Sequence, residues 1–269
     1  MRVEVYKSVR MLGTAVAGVL LFVGSQSAAR ADDMAYMSTG SDQFGTIDLN
    51  TGVFTQLGNS GQLLSGLGTI GGNIYGGLLD SNILYQVNLA NGGLTEIGTG
   101  SIEYDDTGST TTGLYAVNVG VTDLYQVNPL TGATTLIGPT GFTSGFGIIG
   151  MSTGSSTLYF AGGYNLYSLS TTTGEATLIG SQGFAVGALV SEGGALWAGA
   201  SPLDVYTLNT STAAGTLVTG VTGGAVSFWG LTPDPLTTTS VPEPSSVILL
   251  ATVLPALAFV ARKRIAQGL

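Results

Sequence analysis

The sequence predicts an all-β protein, a five-bladed β-propeller with four strands in each blade. The segment Leu124–Gly138 (LYQVNPLTGATTLIG) recurs with small changes at Phe44–Gly58, Leu84–Gly98, Leu166–Gly180 and Val205–Thr219. The shared turn position, held by Gly52, Gly92, Gly132, Gly174 and Ala213, recurs at steps of 40, 40, 42 and 39 residues. A constant period of this length is typical of one four-stranded propeller blade, which is about 40 residues long.

Each repeat contains a β-hairpin. Its first strand contains the large apolar or aromatic residues Leu124, Tyr125 and Val127, in partial alternation with polar residues. This pattern is typical of a half-buried strand. Asn128 and Gly132 then supply the turn, since Asn bonds its own backbone and Gly accepts a positive φ. We expect a short loop with a β-bulge at the glycine.

Two further strands complete each repeat. One is a short aromatic run, at Ala35–Met37, Ile74–Gly77, Leu114–Val117, Leu158–Ala161 and Leu196–Gly199. The other is apolar and rich in glycine, at Ser65–Ile70, Gly145–Met151, Ala185–Val190 and Ala225–Leu231. We place the glycine-rich strand innermost, where backbones crowd. Five repeats account for Asp32–Leu236, which is 205 residues. A β-solenoid or an irregular sandwich is the alternative, but such folds have shorter coils or less even repeats.

The distribution of charge excludes several classes of partner. No Lys, Arg or His lies between Asp32 and Val241, whereas 14 acidic residues do. Nucleic-acid binding requires cations on the phosphates, so we expect no nucleic-acid partner. Anionic lipids and phosphate ligands are disfavoured for the same reason. The chain contains no Cys, which excludes a disulfide scaffold.

The residue types also restrict catalysis, and we expect no enzyme and no cofactor. Without His or Cys the chain has no Ser–His or Cys–His pair and no zinc site of the usual kind. Glycoside hydrolysis needs only two carboxylates and is therefore compatible with the composition. Asp48, Asp123 and Asp204 recur near the hairpins, where turn formation explains them, and no acidic pair stands apart.

An acidic stretch, SIEYDDTGSTTT, interrupts the second repeat. Glu103, Asp105 and Asp106 lie within four residues of one another and are weak candidates for a Ca²⁺ site. Their spacing matches no established calcium loop. A solvated acidic loop is the simpler interpretation of the same residues.

The aromatic residues of the later repeats allow two interpretations. These residues are Tyr159, Tyr164, Tyr167, Trp197 and Trp229. Aromatic rings at a propeller mouth can stack on sugars. At strand positions they more often belong to the core, because Tyr and Trp suit a half-buried pleated surface.

The amino end predicts a secretory signal peptide over residues 1–31, with a helical apolar segment. Basic Arg2, Lys7 and Arg10 precede the apolar run Met11–Gly24. Ala29 and Ala31 then form an A-x-A cleavage pattern, with cleavage expected after Ala31 and Ala29 as the second choice. An uncleaved membrane anchor is the alternative, but the apolar run is short for a span.

The carboxyl end changes composition after the propeller region of residues 32–236. A polar linker of residues 237–240 leads to Val241, Pro242, Glu243 and Pro244. An apolar stretch over residues 245–261 predicts a short transmembrane helix, and Arg262, Lys263 and Arg264 after it should remain cytoplasmic. A permanent single-pass anchor is the alternative reading of this tail.

The tail of residues 241–269 resembles the PEP-CTERM sorting domain. The resemblance rests on Val241-Pro242-Glu243-Pro244, the short helix and the terminal basic cluster. It implies processing by an exosortase near the Pro-Glu-Pro motif, in a diderm bacterium that makes extracellular polysaccharide. The repeats resemble general β-propeller repeats of the type LYxVNxxTGxxTxIG, which enzymes and binding proteins share, so the repeats leave the function open.

Together these features predict an exported protein of the cell surface or the exopolysaccharide matrix. It would pass through the inner membrane transiently and carry a non-enzymatic adhesive or structural propeller. The expected partners are an exosortase and extracellular polysaccharide. The alternatives are a secreted glycan-active enzyme with two carboxylates and a Ca²⁺-dependent adhesin.

Overall fold

Antiparallel β-sheet makes up the computed structural model, which describes residues 33–142 and 149–235. The signal peptide predicted for residues 1–31, the linker and the sorting tail lie outside these residues. So do the cleavage positions Ala29 and Ala31. Within the described ranges, no helix has the length and apolar character that a membrane crossing requires.

Twenty strands are present in this part of the chain. The first seven are β1 (Met34–Ser38), β2 (Gln43–Asp48), β3 (Phe54–Asn59), β4 (Leu64–Ile70), β5 (Asn73–Leu78), β6 (Ile83–Val87) and β7 (Leu94–Thr99). The next eight are β8 (Tyr104–Thr110), β9 (Gly113–Asn118), β10 (Asp123–Val127), β11 (Thr134–Pro139), β12 (Ile149–Met151), β13 (Leu158–Gly162), β14 (Asn165–Leu169) and β15 (Ala176–Ser181). The last five are β16 (Val186–Glu192), β17 (Ala195–Ala200), β18 (Asp204–Leu208), β19 (Gly215–Gly220) and β20 (Gly230–Pro233).

The strands form five four-stranded sheets, and one of them joins the two ends of the propeller. Four sheets are continuous in sequence, with orders β4-β5-β6-β7, β8-β9-β10-β11, β12-β13-β14-β15 and β16-β17-β18-β19. The remaining sheet has the order β20-β1-β2-β3, so the last strand completes the first blade. The innermost strands contact one another in the order β20, β4, β8, β12, β16 and back to β20. The predicted five-bladed propeller is confirmed.

The hairpin turns repeat the same hydrogen bonds in every blade. In the third blade the Gly132 N–H donates to the Asn128 carbonyl at 2.9 Å, and the Asn128 side chain accepts from the Leu130 N–H at 2.9 Å. Gly132 has φ +72°, whereas Ala213 at the same position in the last blade has φ +63°. Ala213 therefore holds a conformation that a side chain disfavours.

The β-bulge of each hairpin lies at the other end from the turn, so the prediction of a bulge at the glycine is wrong. The register shifts between Leu124 and Tyr125, which leaves Ile137 as the extra residue of β11. The same shift occurs in the other four hairpins. Gly132 instead takes its positive φ within the loop.

The innermost strands differ most from the expectation. The strand predicted for Ala225–Leu231 begins only at Gly230. The acidic stretch that was expected to be a solvated loop forms β8, the innermost strand of its blade. Asp106 within it is only 3% exposed, so the interpretation as a solvated loop is wrong.

The apolar faces of adjacent blades pack against each other. One cluster joins Tyr115 and Val117 of β9 to Leu158 and Phe160 of β13. Another contains residues of β1 and β2 together with Val190 and Trp197, and therefore closes the ring between the last blade and the first. Burying these faces from water is the main favourable contribution to such a fold.

Hydrogen bonds between threonine hydroxyls span the ring at the end where the innermost strands finish. Thr232 Oγ1 of β20 is within hydrogen-bonding distance of Thr69 Oγ1 of β4, at 2.5 Å. It also reaches Thr153 Oγ1, just after β12, at 2.8 Å. Because β20 and β12 are not neighbours in the ring, the second bond spans the central channel. The channel is blocked by these side chains at this end.

Candidate functional site

The candidate site is a cavity of about 340 Å³ at the end of the ring where the innermost strands begin. We call it the mouth pocket. Its walls come from residues 65–66, 105–106, 200–202 and 226–229, with Leu79 and Gly187. It thus lies at the opposite end of the channel from the threonine hydroxyls. Its volume is within the range of small-molecule sites, roughly 300–1,000 Å³.

Bulges at the starts of three innermost strands shape this pocket. The registers of β4, β8 and β16 each shift there, which leaves Gly66 with Leu67, Asp105, and Gly187 outside the regular ladder. A bulge turns the extra residue away from the alternation of the strand. Gly66, Asp105 and Gly187 line the pocket, and Asp105 alone among these three carries a side chain.

Asp106 forms a buried wall of the pocket and joins two blades. Its Oδ1 accepts a hydrogen bond from the Thr107 N–H at 2.7 Å. Its Oδ2 accepts one from the Met151 N–H of β12 at 2.6 Å. Burial raises the pKa of this carboxyl well above its usual value, although the two backbone bonds oppose that change.

Gly66 faces the Asp106 carboxylate so closely that no larger residue fits. A Cβ atom at Gly66 would lie 1.8 Å from Asp106 Oδ1, and Gly66 has φ +76°. The Gly66 N–H donates to the Trp229 carbonyl at 3.1 Å. The backbone of β4 therefore packs directly between the carboxylate and the loop that carries Trp229.

Asp105 is the more accessible of the two carboxyl groups. It is partly exposed, and its Oδ2 accepts a hydrogen bond from the Gly120 N–H at 3.3 Å. The pKa of Asp105 is raised, and burial is the largest cause. The hydrogen bond from Gly120 opposes the increase, whereas the charge of Asp80 adds to it. Asp105 therefore offers an acceptor group in a site that already contains like charge.

Aromatic residues from the loop before β20 form the other side of the pocket. Phe228 is buried and packs against Gly199, whose added Cβ would lie 2.2 Å from the Phe228 ring. Trp229 is partly exposed, and Gly40 lies beneath its indole. The Gly40 N–H donates to Ser227 Oγ at 2.9 Å, which ties this loop to the first blade. The lining of the pocket thus combines aromatic residues with two carboxyl groups.

The three calcium candidates do not converge. Asp105 and Asp106 line the mouth pocket, whereas Glu103 lines a neighbouring open groove with Asp80. Over residues 33–142 and 149–235, no three carboxylate, His or Cys side chains are grouped as a metal site would require. A calcium site at Glu103, Asp105 and Asp106 stays a prediction that this geometry does not favour.

The aspartates near the hairpins are at opposite ends of the ring. Asp48 ends β2 and accepts hydrogen bonds from the Asn50 and Thr51 N–H groups at 2.9 and 3.2 Å, which is turn chemistry. Asp123 and Asp204 begin β10 and β18, the strands equivalent to β2. Because these strands run in the same direction, Asp48 cannot form a pair with either of them.

The aromatic candidates separate into three environments. Trp197 is buried, and its indole N–H donates to the Glu192 carbonyl at 3.1 Å, so it belongs to the core. Tyr159 and Tyr167 pack against core clusters, whereas Tyr164 is 62% exposed in a loop. Trp229 alone among them lines the mouth pocket.

Comparison with known proteins shows the fold alone. The chain matches no protein-family profile and no curated protein sequence. A chain in a crystal structure described as a nidogen/laminin complex is similar, with a TM-score of 0.51 and 12% sequence identity. The similarity covers 75% of this chain and 81% of that one. At this level of identity the common feature is the propeller architecture, and that structure is of a protein–protein complex.

Proposed function

We propose that this chain is an exported binding propeller without catalytic activity, which acts at the cell surface or in an exopolysaccharide matrix. The observation that carries the proposal is the mouth pocket, which opens at one end of a closed ring. Blades that pack face to face hold such a pocket in a fixed shape, which reduces the entropy lost on binding. The similarity to a propeller from a protein–protein complex is consistent with a binding role.

The two ends of the sequence support the proposed destination. The signal peptide would direct export, with cleavage after Ala31 or Ala29. The tail would hold the protein in the inner membrane until an exosortase acts near Val241-Pro242-Glu243-Pro244. Arg262, Lys263 and Arg264 would fix the orientation by remaining cytoplasmic.

The mass of the mature protein tests this proposal. Mass spectrometry of the protein recovered outside the cell should give a chain that starts at Asp32, or at Arg30 if Ala29 is used, and that ends near the Pro-Glu-Pro motif. Alanine at Pro242, Glu243 and Pro244 should retain the chain in the membrane. Alanine at residues 237–239 of the linker is the matched control and should leave release unchanged. An intact tail found only in the cytoplasmic membrane would contradict the proposal.

A glycan-active enzyme is the second candidate, because two carboxyl groups line one pocket. Asp105 and Asp106 are the pair that it would use. Asp106 is poorly placed for this work, since both of its oxygens accept backbone hydrogen bonds. The test is hydrolysis of matrix glycans by the wild type and by Asp105→Asn. Hydrolysis that disappears in the variant would favour the enzyme over the binding protein.

A further inference from the structure

We infer that the mouth pocket binds a single sugar ring without an acidic group, held between the Trp229 indole and the Asp105 carboxylate. The inference rests on the proposed binding function and adds the site and the class of ligand. Four properties of the pocket lead to it: its size, its aromatic wall, its acceptor group and its lack of cations.

The size of the pocket suits one ring and excludes a threaded chain. A cavity of about 340 Å³ is near the lower limit for small-molecule sites. The bond between Thr232 and Thr153 blocks the far end of the channel. A polymer therefore cannot pass through the propeller, and the sugar ring enters from the mouth.

The aromatic wall suits the C–H face of a sugar ring. Trp229 presents it, with Pro202 also in the lining and Phe228 buried in the core next to it. The indole is held from behind by Gly40, since an added Cβ there would lie 2.4 Å from Trp229 Nε1. Because the indole has a fixed position and is partly exposed, it can accept an apolar surface with little loss of side-chain freedom.

The opposite wall suits hydroxyl donors. A carboxylate has about four acceptor positions, and the Gly120 N–H occupies one of those on Asp105. On the aromatic side, Ser227 Oγ accepts from the Gly40 N–H, which leaves its own hydrogen to donate to a ligand oxygen. An aromatic face combined with a carboxylate and a hydroxyl in one pocket matches a molecule that has C–H groups on one face and hydroxyls at its edge.

The charge of the site excludes acidic sugars. Residues 33–142 and 149–235 contain no Lys, Arg or His to neutralise a ligand carboxylate or sulfate. Asp105 already lies near Asp80, and that like charge contributes to its raised pKa. An anionic ring would add a further negative group beside Asp105 and Asp80 without any compensating cation.

Tryptophan fluorescence provides the test, because the chain has two tryptophans in different environments. The full chain would be purified in a detergent without a sugar headgroup. It would be titrated with glucose, glucosamine and glucuronate, which present a similar ring with neutral, positive and negative charge. Trp197→Phe is the matched control, since Trp197 is buried in the core and does not line the pocket.

The expected result is a saturable fluorescence change with glucose or glucosamine, at a dissociation constant at least tenfold lower than for glucuronate. Trp197→Phe should retain this change, which assigns the signal to Trp229. By calorimetry, Asp105→Asn should weaken binding at least fivefold, with an unaltered melting temperature showing that the variant is folded. No saturable binding, tighter binding of glucuronate, or unaltered affinity in Asp105→Asn would each overturn the inference. An exported, processed protein that binds none of these sugars would refute this inference and leave the proposed function standing. Sugar binding by a chain that is never exported would support this inference and refute the proposed export.

Discussion

Thr232 Oγ1 and Thr153 Oγ1 lie 2.8 Å apart across the centre of the ring, although they are 79 residues apart in the sequence. Thr232 is in the strand that completes the first blade, and Thr153 follows the innermost strand of the fourth. Both side chains are fully buried. The hydroxyl of Thr232 therefore connects the closing strand to the second blade, which is its neighbour, and to the fourth blade, which is not.

Removal of this hydroxyl should destabilise the ring. Thr232→Val keeps the shape of the side chain but removes both of its hydrogen bonds and leaves the hydroxyls of Thr69 and Thr153 without this partner. We expect the free energy of unfolding to fall by about 1–3 kcal/mol. Urea denaturation measures it. Thr216→Val on the exposed edge strand β19 is the control, with an expected change below about 0.5 kcal/mol.

Two glycines with almost the same φ separate backbone strain from steric conflict. Gly66 has φ +76° and faces Asp106, whereas Gly61 has φ +74° with no atom within 4 Å of an added Cβ. Gly61→Ala should therefore cost only the strain of a positive φ, about 1 kcal/mol. Gly66→Ala should cost at least about 3 kcal/mol, because the methyl group displaces the carboxylate and its strand. Equal losses in the two variants, measured by chemical denaturation, would show that β4 does not pack against Asp106.

The sequence predicts those parts of the structure that depend on local contacts, and it fails where distant contacts decide. The hairpins are predictable because their signals are local: Asn128 and Gly132 form the turn by bonds within a few residues. Asp106 is different, since it lies buried on an innermost strand and its carboxyl accepts a hydrogen bond from Met151, 45 residues away. Sequence spacing favoured a solvated loop for β8 because nothing local indicates that partner.

The mouth pocket could not be predicted for a related reason. Its bulge residues Gly66, Asp105 and Gly187 come from three blades, and each bulge breaks the alternation by which strands are recognised. Trp229 was recognised as a mouth or core candidate. Whether Trp229 lines the mouth or belongs to the core depends on residues 226–229. They form a loop, because β20 starts at Gly230 and not at Ala225 as the apolar pattern suggested.

The stability of the protein should decrease between acid and neutral pH through Asp106. Its pKa is raised in the folded state, so the folded protein binds more protons than the unfolded chain above about pH 3.9, the usual value for Asp. The stabilisation is thus complete below the unfolded pKa and is lost as the pH rises through the folded pKa. Asp106→Asn should give a shallower decline, whatever its stability at one pH. Parallel pH profiles of the unfolding free energy for wild type and variant would contradict the assignment.

The outer edges of three consecutive blades carry leucines that contribute little to stability. Leu136, Leu178 and Leu217 are 57%, 59% and 56% exposed, and the equivalent positions in the first two blades hold Gln56 and Glu96. Leu178→Gln should change the free energy of unfolding by less than about 0.5 kcal/mol.

The matched comparison is Leu166→Ala in the same blade, because Leu166 is completely buried. This variant should lose about 2–5 kcal/mol. Thermal denaturation of the two variants separates them. A large loss in Leu178→Gln would mean that the edge of this blade is covered by another part of the protein.

Closure of the ring is tested most directly by cross-linking the last blade to the first. Thr219 Oγ1 donates to the Thr51 carbonyl at 3.3 Å, although the two residues are 168 positions apart. Because the chain has no Cys, Thr51→Cys with Thr219→Cys introduces the only two thiols. The equivalent hairpin residue Thr131, two blades away, supplies the control pair with Thr219. A short bifunctional thiol reagent, followed by mass spectrometry of the folded monomer, should link positions 51 and 219 and leave 131 and 219 unlinked. Absence of the 51–219 link, or equal linking of both pairs, would contradict a closed five-bladed ring.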